Sequence, residues 1–291
     1  MAAGVCWADS DVVLILCAGD GARWKNYLGV PKQLAPLGGV PVLKRSIELV
    51  RELTGCVPVV VTADERLSQS APRVFYPARR RWIVETLAGT ANLWGQRTVV
   101  LLGDVFYSRE AMRAIFGFQR DLVFFGRAGA SFISGKRYGE IFAITFTAPV
   151  AWLVLRGLEN VIHQAEHGAR GKLWELLWYL RAVGGSLVTF HRIEDETDDF
   201  DSPADYRRMA WLYQAFVSEK ESIRTVARIV GLLLFGPHAA WHRWKQWRAD
   251  WQKTQQARYG TPARSPLRLA GYHHPPGAFL CPSQHVPWPT E

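Results

Sequence analysis

The stretch Leu14–Leu34, LILCAGDGARWKNYLGVPKQL, decides the fold of this 291-residue chain. Its start belongs to an aliphatic run, Val12–Leu16, which predicts a strand buried on both faces of a sheet. Gly19 and Gly21 follow, and glycine lets the backbone turn sharply and approach a ligand closely. The backbone N–H groups of such a turn form a concavity that binds anions, and the N-terminus of a helix after the turn would strengthen it. The stretch therefore predicts a phosphate-binding loop.

Two basic residues and two mismatched motifs narrow this interpretation. Lys32 would meet a phosphate as a compact positive charge, whereas Arg23 could hold it as a planar fork. A dinucleotide-binding loop needs a third small residue where Trp24 stands, and the G-x-x-x-x-G-K-[ST] pattern of a Walker A loop is absent. What remains is L-x-A-G-x-G-x-R followed by P-K-Q-L.

This remaining pattern resembles the signature of the MobA-like NTP transferase family, which consists of nucleotidyltransferases with a GT-A-like fold. The family includes sugar-1-phosphate nucleotidyltransferases, molybdenum-cofactor guanylyltransferases and methylerythritol cytidylyltransferases, and the resemblance covers residues 10–210. It implies a nucleoside triphosphate held over the glycine loop, with Arg23 and Lys32 as catalytic residues. The nucleotide contacts that it implies in this stretch are Leu16, Ala18, Gly19, Gly21, Arg23 and Lys32.

Two acidic motifs point to a metal. Thr98–Asp104, TVVLLGD, places Asp104 just beyond the C-terminal end of a buried strand, where open α/β sheets bind ligands. The resemblance implies that Asp104 is catalytic and holds Mg²⁺; the alternative is that it caps the following helix. Asp199–Tyr206, DFDSPADY, resembles the family's D-x-D-[ST]-P-x-D motif, which implies Asp201 as the second Mg²⁺ ligand and Asp199 as the reserve. The Ser-Pro step of this motif also predicts the start of a helix.

These residue types suit nucleotidyl transfer. Carboxylate oxygens from distant points of the chain can hold Mg²⁺ and leave positions for phosphate oxygens and water. Such transfers depend mainly on positioning and electrostatic stabilisation. The phosphate oxygen of an acceptor is already anionic, so no general base is required. The expected reaction transfers NMP from an NTP to a phosphorylated acceptor, a sugar-1-phosphate or a small alcohol phosphate, and releases pyrophosphate.

Two further segments are assigned by the resemblance. Tyr138–Phe142, YGEIF, is similar to a strand that lines the acceptor pocket of sugar nucleotidyltransferases, which implies acceptor contacts at Gly139 and Glu140; a plain turn into a strand is the alternative. Glu85–Thr90 lies where the family reads the nucleobase, which implies Thr90 as a nucleotide contact.

Two charge runs receive a plainer interpretation. Arg79–Arg81 could attract an anionic substrate, although a solvent-exposed run is the default expectation for three consecutive arginines. The acidic run Glu194–Asp199 is expected to be a solvated loop rather than a second metal site.

Strand-like and helix-like segments alternate through the first 205 residues. This alternation predicts an α/β protein, a three-layer α/β/α sandwich on a mixed, mostly parallel sheet. The predicted strands are Val12–Leu16, Val57–Thr62, Thr98–Leu102, Leu122–Phe125, Glu140–Phe146 and Leu187–His191, and the predicted helices are Val40–Leu53, Arg109–Phe116, Leu158–His167 and Leu173–Arg181.

The C-terminal third has a different charge. Residues 1–205 carry a net charge of +1 and residues 206–291 one of +8, so the total of +9 does not describe the body of the chain. Helices are predicted over Tyr206–Lys220, Ser222–Phe235 and Ala239–Lys253, followed by a Pro-rich stretch. We therefore divide the chain into a nucleotidyltransferase domain (1–210), a basic Trp-rich helical extension (211–254) and a tail expected to be disordered (255–291).

The Trp-rich extension allows several partners. Trp241, Trp244, Trp247 and Trp251 share one helical face, with basic residues interleaved. Packing of this face on the catalytic domain or on a second subunit is the first interpretation. Peripheral membrane contact through residues 223–253 is the second, and nucleic acid is the least favoured.

Composition restricts the compartment and the rival functions. Four cysteines lie without metal-ligand spacing, and the chain shows neither a membrane-spanning run nor a secretion signal, so we expect a cytoplasmic protein. One rival function is a molybdenum-cofactor-type nucleotidyltransferase. The other is a non-catalytic scaffold with a nucleotide-binding fold that acts through its basic C-terminal helix.

Overall fold

The computed structural model describes residues 7–129, 131, 139–218, 220–227, 229–230 and 233. The strands are β1 (Val12–Leu16), β2 (Pro36–Leu37), β3 (Val40–Pro41), β4 (Val59–Val61), β5 (Val74–Phe75), β6 (Arg97–Leu102), β7 (Val105–Phe106), β8 (Leu122–Arg127), β9 (Glu140–Thr147), β10 (Val188–Arg192) and β11 (Asp198–Asp199). The α-helices are α1 (Val42–Thr54), α2 (Glu65–Ser68), α3 (Ile83–Ala88), α4 (Arg109–Gly117), α5 (Ala148–Glu166), α6 (Leu173–Gly184) and α7 (Pro203–Phe216).

A seven-stranded sheet forms the centre, in the order β10-β8-β9-β6-β1-β4-β5. β9 runs antiparallel to both of its neighbours, and the remaining pairs are parallel. Two short antiparallel pairs, β2 with β3 and β7 with β11, lie outside this sheet. The predicted mixed, mostly parallel sheet is confirmed.

The aliphatic side chains of β1 pack into a hydrophobic core on each face of the sheet. Leu14 and Leu16 belong to the core beneath α3, α5 and α6, whereas Val13 and Ile15 belong to the core beneath α1 and α4. Successive side chains of a strand point to opposite faces, so a strand covered on both sides is apolar throughout. The predicted three-layer sandwich is confirmed.

Three helices begin at other residues than predicted, and α7 spans Pro203–Phe216 rather than Tyr206–Lys220. α1 begins at Val42 rather than Val40, because Val40 and Pro41 pair with Pro36–Leu37 in a small hairpin. α5 begins at Ala148, ten residues before the predicted start, with a proline in its first turn.

No α-helix directly follows the glycine loop, so no helix N-terminus strengthens its anion-binding concavity. Lys25, Asn26 and Leu28 have φ values of 52°, 52° and 62°. This left-handed backbone cannot continue a right-handed helix. Short 3-10 turns at Tyr27–Gly29 and Lys32–Leu34 take its place.

The body of the fold extends beyond the predicted boundary at residue 210, which falls inside α7. This helix buries Leu212, Tyr213 and Phe216 in a cluster that also contains Trp24 and Phe106. The predicted helix Ser222–Phe235 is helical at 221–227, 229–230 and 233. The predicted helix Ala239–Lys253 and the Pro-rich tail lie outside the described residues. None of the described helices is long and apolar enough to cross a membrane.

Candidate active site

Three distant segments of the chain meet around one lysine. The Lys32 ammonium contacts the Asp104 carboxylate and lies 3.0 Å from Oδ1 of Asp201. Arg23 Nη2 lies 2.6 Å from the other oxygen of Asp201. The site stands at the carboxyl edge of the sheet, where β1 and β6 end side by side. The structure thus brings together the four charged residues that the glycine-loop stretch and the two acidic motifs predicted.

A short strand pair joins the two acidic motifs. β11 pairs with β7 so that Asp198 lies opposite Phe106 and Asp199 opposite Val105. Since Asp104 directly precedes β7 and Asp201 follows β11 by two residues, this pairing places both carboxylates beside Lys32.

A glycine sets the approach of β6 to β1 at this edge. The Gly103 N–H donates to the Leu16 carbonyl at 2.9 Å. A Cβ atom on Gly103 would lie 2.1 Å from the Cys17 sulfur, so only glycine fits here.

The electrostatics keep Lys32 charged and Cys17 neutral. Burial opposes the charged form of Lys32, but the negative charges of Asp104 and Asp201 outweigh that effect and raise its pKa above the ordinary value. Burial raises the pKa of the Cys17 thiol, and the charge of Asp104 raises it further. Cys17 is therefore a packed, protonated side chain at neutral pH and not a nucleophile.

A cavity of about 360 Å³ opens beside Lys32, a volume within the usual range of small-molecule sites. Its lining residues come from the glycine loop, the Val30–Gln33 turn and the segment after β4: Cys17, Ala18, Gly19, Asp20, Gly21, Trp24, Asn26, Val30, Pro31, Lys32, Gln33, Ala63, Asp64, Arg66, Leu67 and Arg80. Gly21 has a φ of 59°, which glycine adopts without strain. The Arg23 side chain is 61% exposed and does not line this cavity.

Trp24, the departure from the dinucleotide pattern, has a structural role in this loop. Its side chain is 2% exposed and its Nε1–H donates to the Val30 carbonyl at 2.7 Å. Its ring contacts Tyr27, Phe200 and Tyr206. Trp24 therefore ties the loop to α7 and supports the left-handed residues that follow it.

A group of three carboxylates lies on the other side of Asp201. One oxygen from each of Glu140, Asp199 and Asp201 lies within 4.8 Å of the other two. Carboxylate oxygens at this spacing fit a hard divalent cation such as Mg²⁺. Asp104 is not part of this group; its carboxylate contacts the Lys32 ammonium, which also contacts Asp201. The Mg²⁺ pair of Asp104 and Asp201 stays a prediction. Asp199, predicted as the reserve, and Glu140, predicted as an acceptor contact, accompany Asp201.

A bulge aims Glu140 at this group. β8 and β9 shift register between Phe125 and Gly126, and Arg127 lies opposite Glu140. A Cβ atom on Gly126 would lie 2.1 Å from the Glu140 carbonyl oxygen, so glycine permits the close approach of the two strands.

The acidic run Glu194–Asp199 is largely buried, and the prediction of a solvated loop was wrong. Glu196, Asp198 and Asp199 are 2%, 1% and 8% exposed. Arg127 Nη1 lies 2.5 Å from the Asp198 carboxylate, and Asp195 accepts a hydrogen bond of 2.6 Å from the Ser108 hydroxyl. The Arg127 guanidinium and the Ser108 hydroxyl offset the cost of burying the Asp198 and Asp195 carboxylates.

The remaining predicted contacts have different surroundings. Thr90 is fully buried; its hydroxyl donates to the Leu87 carbonyl at 2.7 Å and accepts from Trp94 Nε1 at 3.0 Å. These bonds occupy the Thr90 hydroxyl within the fold, and Thr90 does not line the cavity. Leu16 points into the core. Gly139 is buried directly before β9, and Tyr138 lies outside the described residues.

The fold and the site together define an α/β protein with a candidate ligand site at the carboxyl edge of its sheet. Residues 13–133 match the family model of the MobA-like NTP transferase domain, which confirms the resemblance over the glycine loop, Lys32 and Asp104. The matched segment ends before Asp201.

Solved structures support the GT-A-like fold. The CTP:phosphocholine cytidylyltransferase of Streptococcus pneumoniae is 14% identical with a TM-score of 0.53, over 70% of this chain and 99% of that one. The inositol-1-phosphate CTP transferase of T. maritima is 13% identical with a TM-score of 0.50, over 72% of this chain and 98% of that one. A comparison with curated proteins gave no match.

Proposed function

We propose that the chain is a nucleotidyltransferase that transfers NMP from an NTP to a phosphorylated acceptor and releases pyrophosphate. The observation that carries the proposal is the meeting of Arg23, Lys32, Asp104 and Asp201 at the carboxyl edge of the sheet, beside the glycine-loop cavity. A buried lysine held between two aspartates is costly for packing alone, and it suits a site that must balance the charge of a triphosphate.

The glycine loop and two cations would hold the triphosphate. The backbone N–H groups near Gly19 and Gly21 would face phosphate oxygens, and Lys32 would hold a neighbouring oxygen from below the loop. Arg23, exposed on one side and bound to Asp201 on the other, would link the triphosphate to the acidic group. Ala18 lines the same cavity, and its small side chain leaves room for the nucleotide.

Asp201 would hold Mg²⁺ together with Asp104, as the resemblance implies, or together with Asp199 and Glu140, which lie close to it. The metal would neutralise negative charge on the phosphates. An oxygen of the acceptor phosphate then bonds to the α-phosphorus, and the bond from that phosphorus to the bridging oxygen of pyrophosphate breaks. No proton transfer is needed at the attacking oxygen, since it is anionic at neutral pH.

The acceptor is proposed to be a sugar-1-phosphate or a small alcohol phosphate. Gly139 and Glu140 lie at the start of β9 beside the acidic group, where they could contact an acceptor next to the α-phosphate. The two similar solved structures carry the names of enzymes for phosphocholine and inositol-1-phosphate, which makes both compounds reasonable test acceptors.

The test is a panel of CTP, GTP, UTP, ATP and dTTP with Mg²⁺ and with mixed sugar-1-phosphates, phosphocholine and inositol-1-phosphate, read by pyrophosphate release. We expect release with one acceptor class, lost in Asp201→Asn and strongly reduced in Asp104→Asn. Asp121→Asn, which removes an exposed carboxylate at the far end of the sheet, is the matched control.

The panel also separates the rival functions. If pyrophosphate is released only with a molybdopterin acceptor, the protein is a nucleotidyltransferase of the molybdenum-cofactor type. Absence of Mg²⁺-dependent NTP binding and of turnover with every acceptor would favour the non-catalytic scaffold.

We further propose peripheral contact with an anionic membrane surface through residues 223–253 of a cytoplasmic protein. Among the described helical residues at 221–227, 229–230 and 233, four apolar side chains are between 41% and 70% exposed: Ile223, Val226, Ile229 and Leu233. Residues 222–249 contain five Lys or Arg and no Asp or Glu. Flotation of the full chain with phosphatidylglycerol vesicles tests this contact, and absence of binding at low salt would contradict it. Self-association in the same buffer, measured by sedimentation, tests the alternative that this face joins two subunits.

A further inference from the structure

An acidic residue stands inside the glycine loop, between Gly19 and Gly21. The Asp20 side chain is 78% exposed, and its Oδ1 lies 2.7 Å from Nη1 of Arg80. Sixty positions separate the two residues, so their ion pair joins the glycine loop to the segment that leads into α3.

Arg80 borders both cavities at this edge of the molecule. It lines the cavity of about 360 Å³ that also contains Gly19, Gly21 and Lys32, a volume typical of small-ligand sites. It also lines an open cavity with Ala78, Arg79 and Arg81, and Asp20 lines this cavity as well. The guanidinium of Arg80 thus reaches the loop from the side opposite β6.

The charge of Asp20 opposes an anion in this loop. A carboxylate beside backbone N–H groups that face phosphate repels that phosphate, and Arg80 compensates this charge in the free protein. Both side chains are largely exposed, with 48% of the Arg80 side chain accessible, and such ion pairs are weak in water. A triphosphate carries several negative charges and offers paired oxygens to a planar guanidinium. It can therefore displace the single carboxylate of Asp20.

We propose that Arg80 is a nucleotide-phosphate-binding residue that exchanges the Asp20 carboxylate for a phosphate oxygen when the nucleotide binds. Asp20 holds the guanidinium over the empty loop and lowers the affinity for the triphosphate. The inference rests on the proposed function, because it takes the ligand of the glycine loop to be an NTP.

The test compares variants that break the same ion pair from its two ends. Calorimetric titration of the full chain with each of the five NTPs, and with inorganic tripolyphosphate, is done in the presence of Mg²⁺. For the tightest ligand, Arg80→Gln should raise Kd about tenfold, because it removes a charge-assisted hydrogen bond to phosphate. Asp20→Asn should lower Kd about threefold, because it removes the repulsion between the carboxylate and the phosphate. A purely structural ion pair predicts that both variants change Kd in the same direction.

Arg79→Gln is the matched control. It removes the same charge one residue away, and no ion pair of Arg79 is recorded within the described part of the chain. Its Kd should stay within twofold of the wild-type value.

The outcomes separate the two proposals. A wild-type chain that binds none of the NTPs and no tripolyphosphate overturns both. Binding by the wild type with equal effects of Arg80→Gln and Arg79→Gln, or with weaker binding in Asp20→Asn, overturns the role of Arg80 and leaves the proposed function standing.

Discussion

The two sides of the candidate site are held by different means. On the glycine-loop side, charged groups such as Arg23, Asp20 and Arg80 are exposed, and turns supported by Trp24 shape the backbone. On the acidic side, Asp198 and Asp199 are buried in a strand pair. Exposed ion pairs can exchange partners at small cost, whereas buried ones fix geometry. The loop side is thus suited to receive a ligand, and the acidic side to hold carboxylates in fixed positions.

Removal of the lysine that joins the two sides should have the largest effect. Lys32→Met leaves Asp104 and Asp201 without the ammonium between them, and it should cost about 3–5 kcal/mol of unfolding free energy, as for other broken buried pairs. Pyrophosphate release should fall by about 10²–10³-fold, since a preorganised charge is lost. Urea denaturation and the release assay measure the two effects. The control Lys44→Met removes a lysine whose side chain is 63% exposed and should change stability by less than about 0.5 kcal/mol.

A pair of arginine variants compares the two sides directly. Arg127→Met removes the guanidinium that pairs with the Asp198 carboxylate, which is 1% exposed. The free energy of unfolding should fall by about 3 kcal/mol. Arg66→Met breaks the ion pair with Asp64 beside the cavity, where the arginine side chain is 51% exposed, and it should cost at most about 1 kcal/mol. If urea denaturation shows that both variants lose the same free energy of unfolding, the distinction between an exchangeable loop side and a fixed acidic side is wrong.

Trp24→Phe tests how the loop side keeps its shape. The ring packing is mostly retained, but the Val30 carbonyl loses the hydrogen bond from the indole N–H. This loss should lower the free energy of unfolding by about 1–2 kcal/mol. Because Val30 leads into Lys32, the Kd of the NTP should rise as well. Unchanged affinity with reduced stability would show that the indole N–H supports the fold and not the nucleotide site.

The smallest effect is expected at the cap that follows Asp201. The Ser202 hydroxyl accepts from the Asp205 N–H at 3.3 Å and begins α7. Ser202→Ala should cost about 1 kcal/mol in thermal or urea unfolding, as for other N-cap serines. Ser70→Ala, an exposed serine away from any helix start, should stay within about 0.5 kcal/mol of the wild type. If Ser202→Ala lowers the free energy of unfolding no more than Ser70→Ala does, the helix cap does not help to position Asp201.

Features carried by contiguous residues could be predicted from the sequence. The apolar run of β1, the glycine loop with Arg23 and Lys32, and the Ser-Pro start of α7 each depend on neighbours along the chain. Periodicity and turn chemistry therefore predicted the sandwich, the glycine loop and the strand end that carries Asp104. The family match over residues 13–133 covers the glycine loop with Arg23 and Lys32 and ends before the Ser-Pro start of α7.

Only the tertiary structure decided which groups meet. β7 and β11 are two residues long, too short for a periodic signal, yet their pairing buries Asp198 and Asp199 and brings Asp201 to Lys32. Glu140 joins Asp199 and Asp201 through the bulge at Gly126, and Arg127 balances the buried acidic run. The sequence determined what charges the site has, because side-chain chemistry is local. Their partners depend on contacts between residues about 60 to 180 positions apart, and the pattern of any single segment does not encode such contacts.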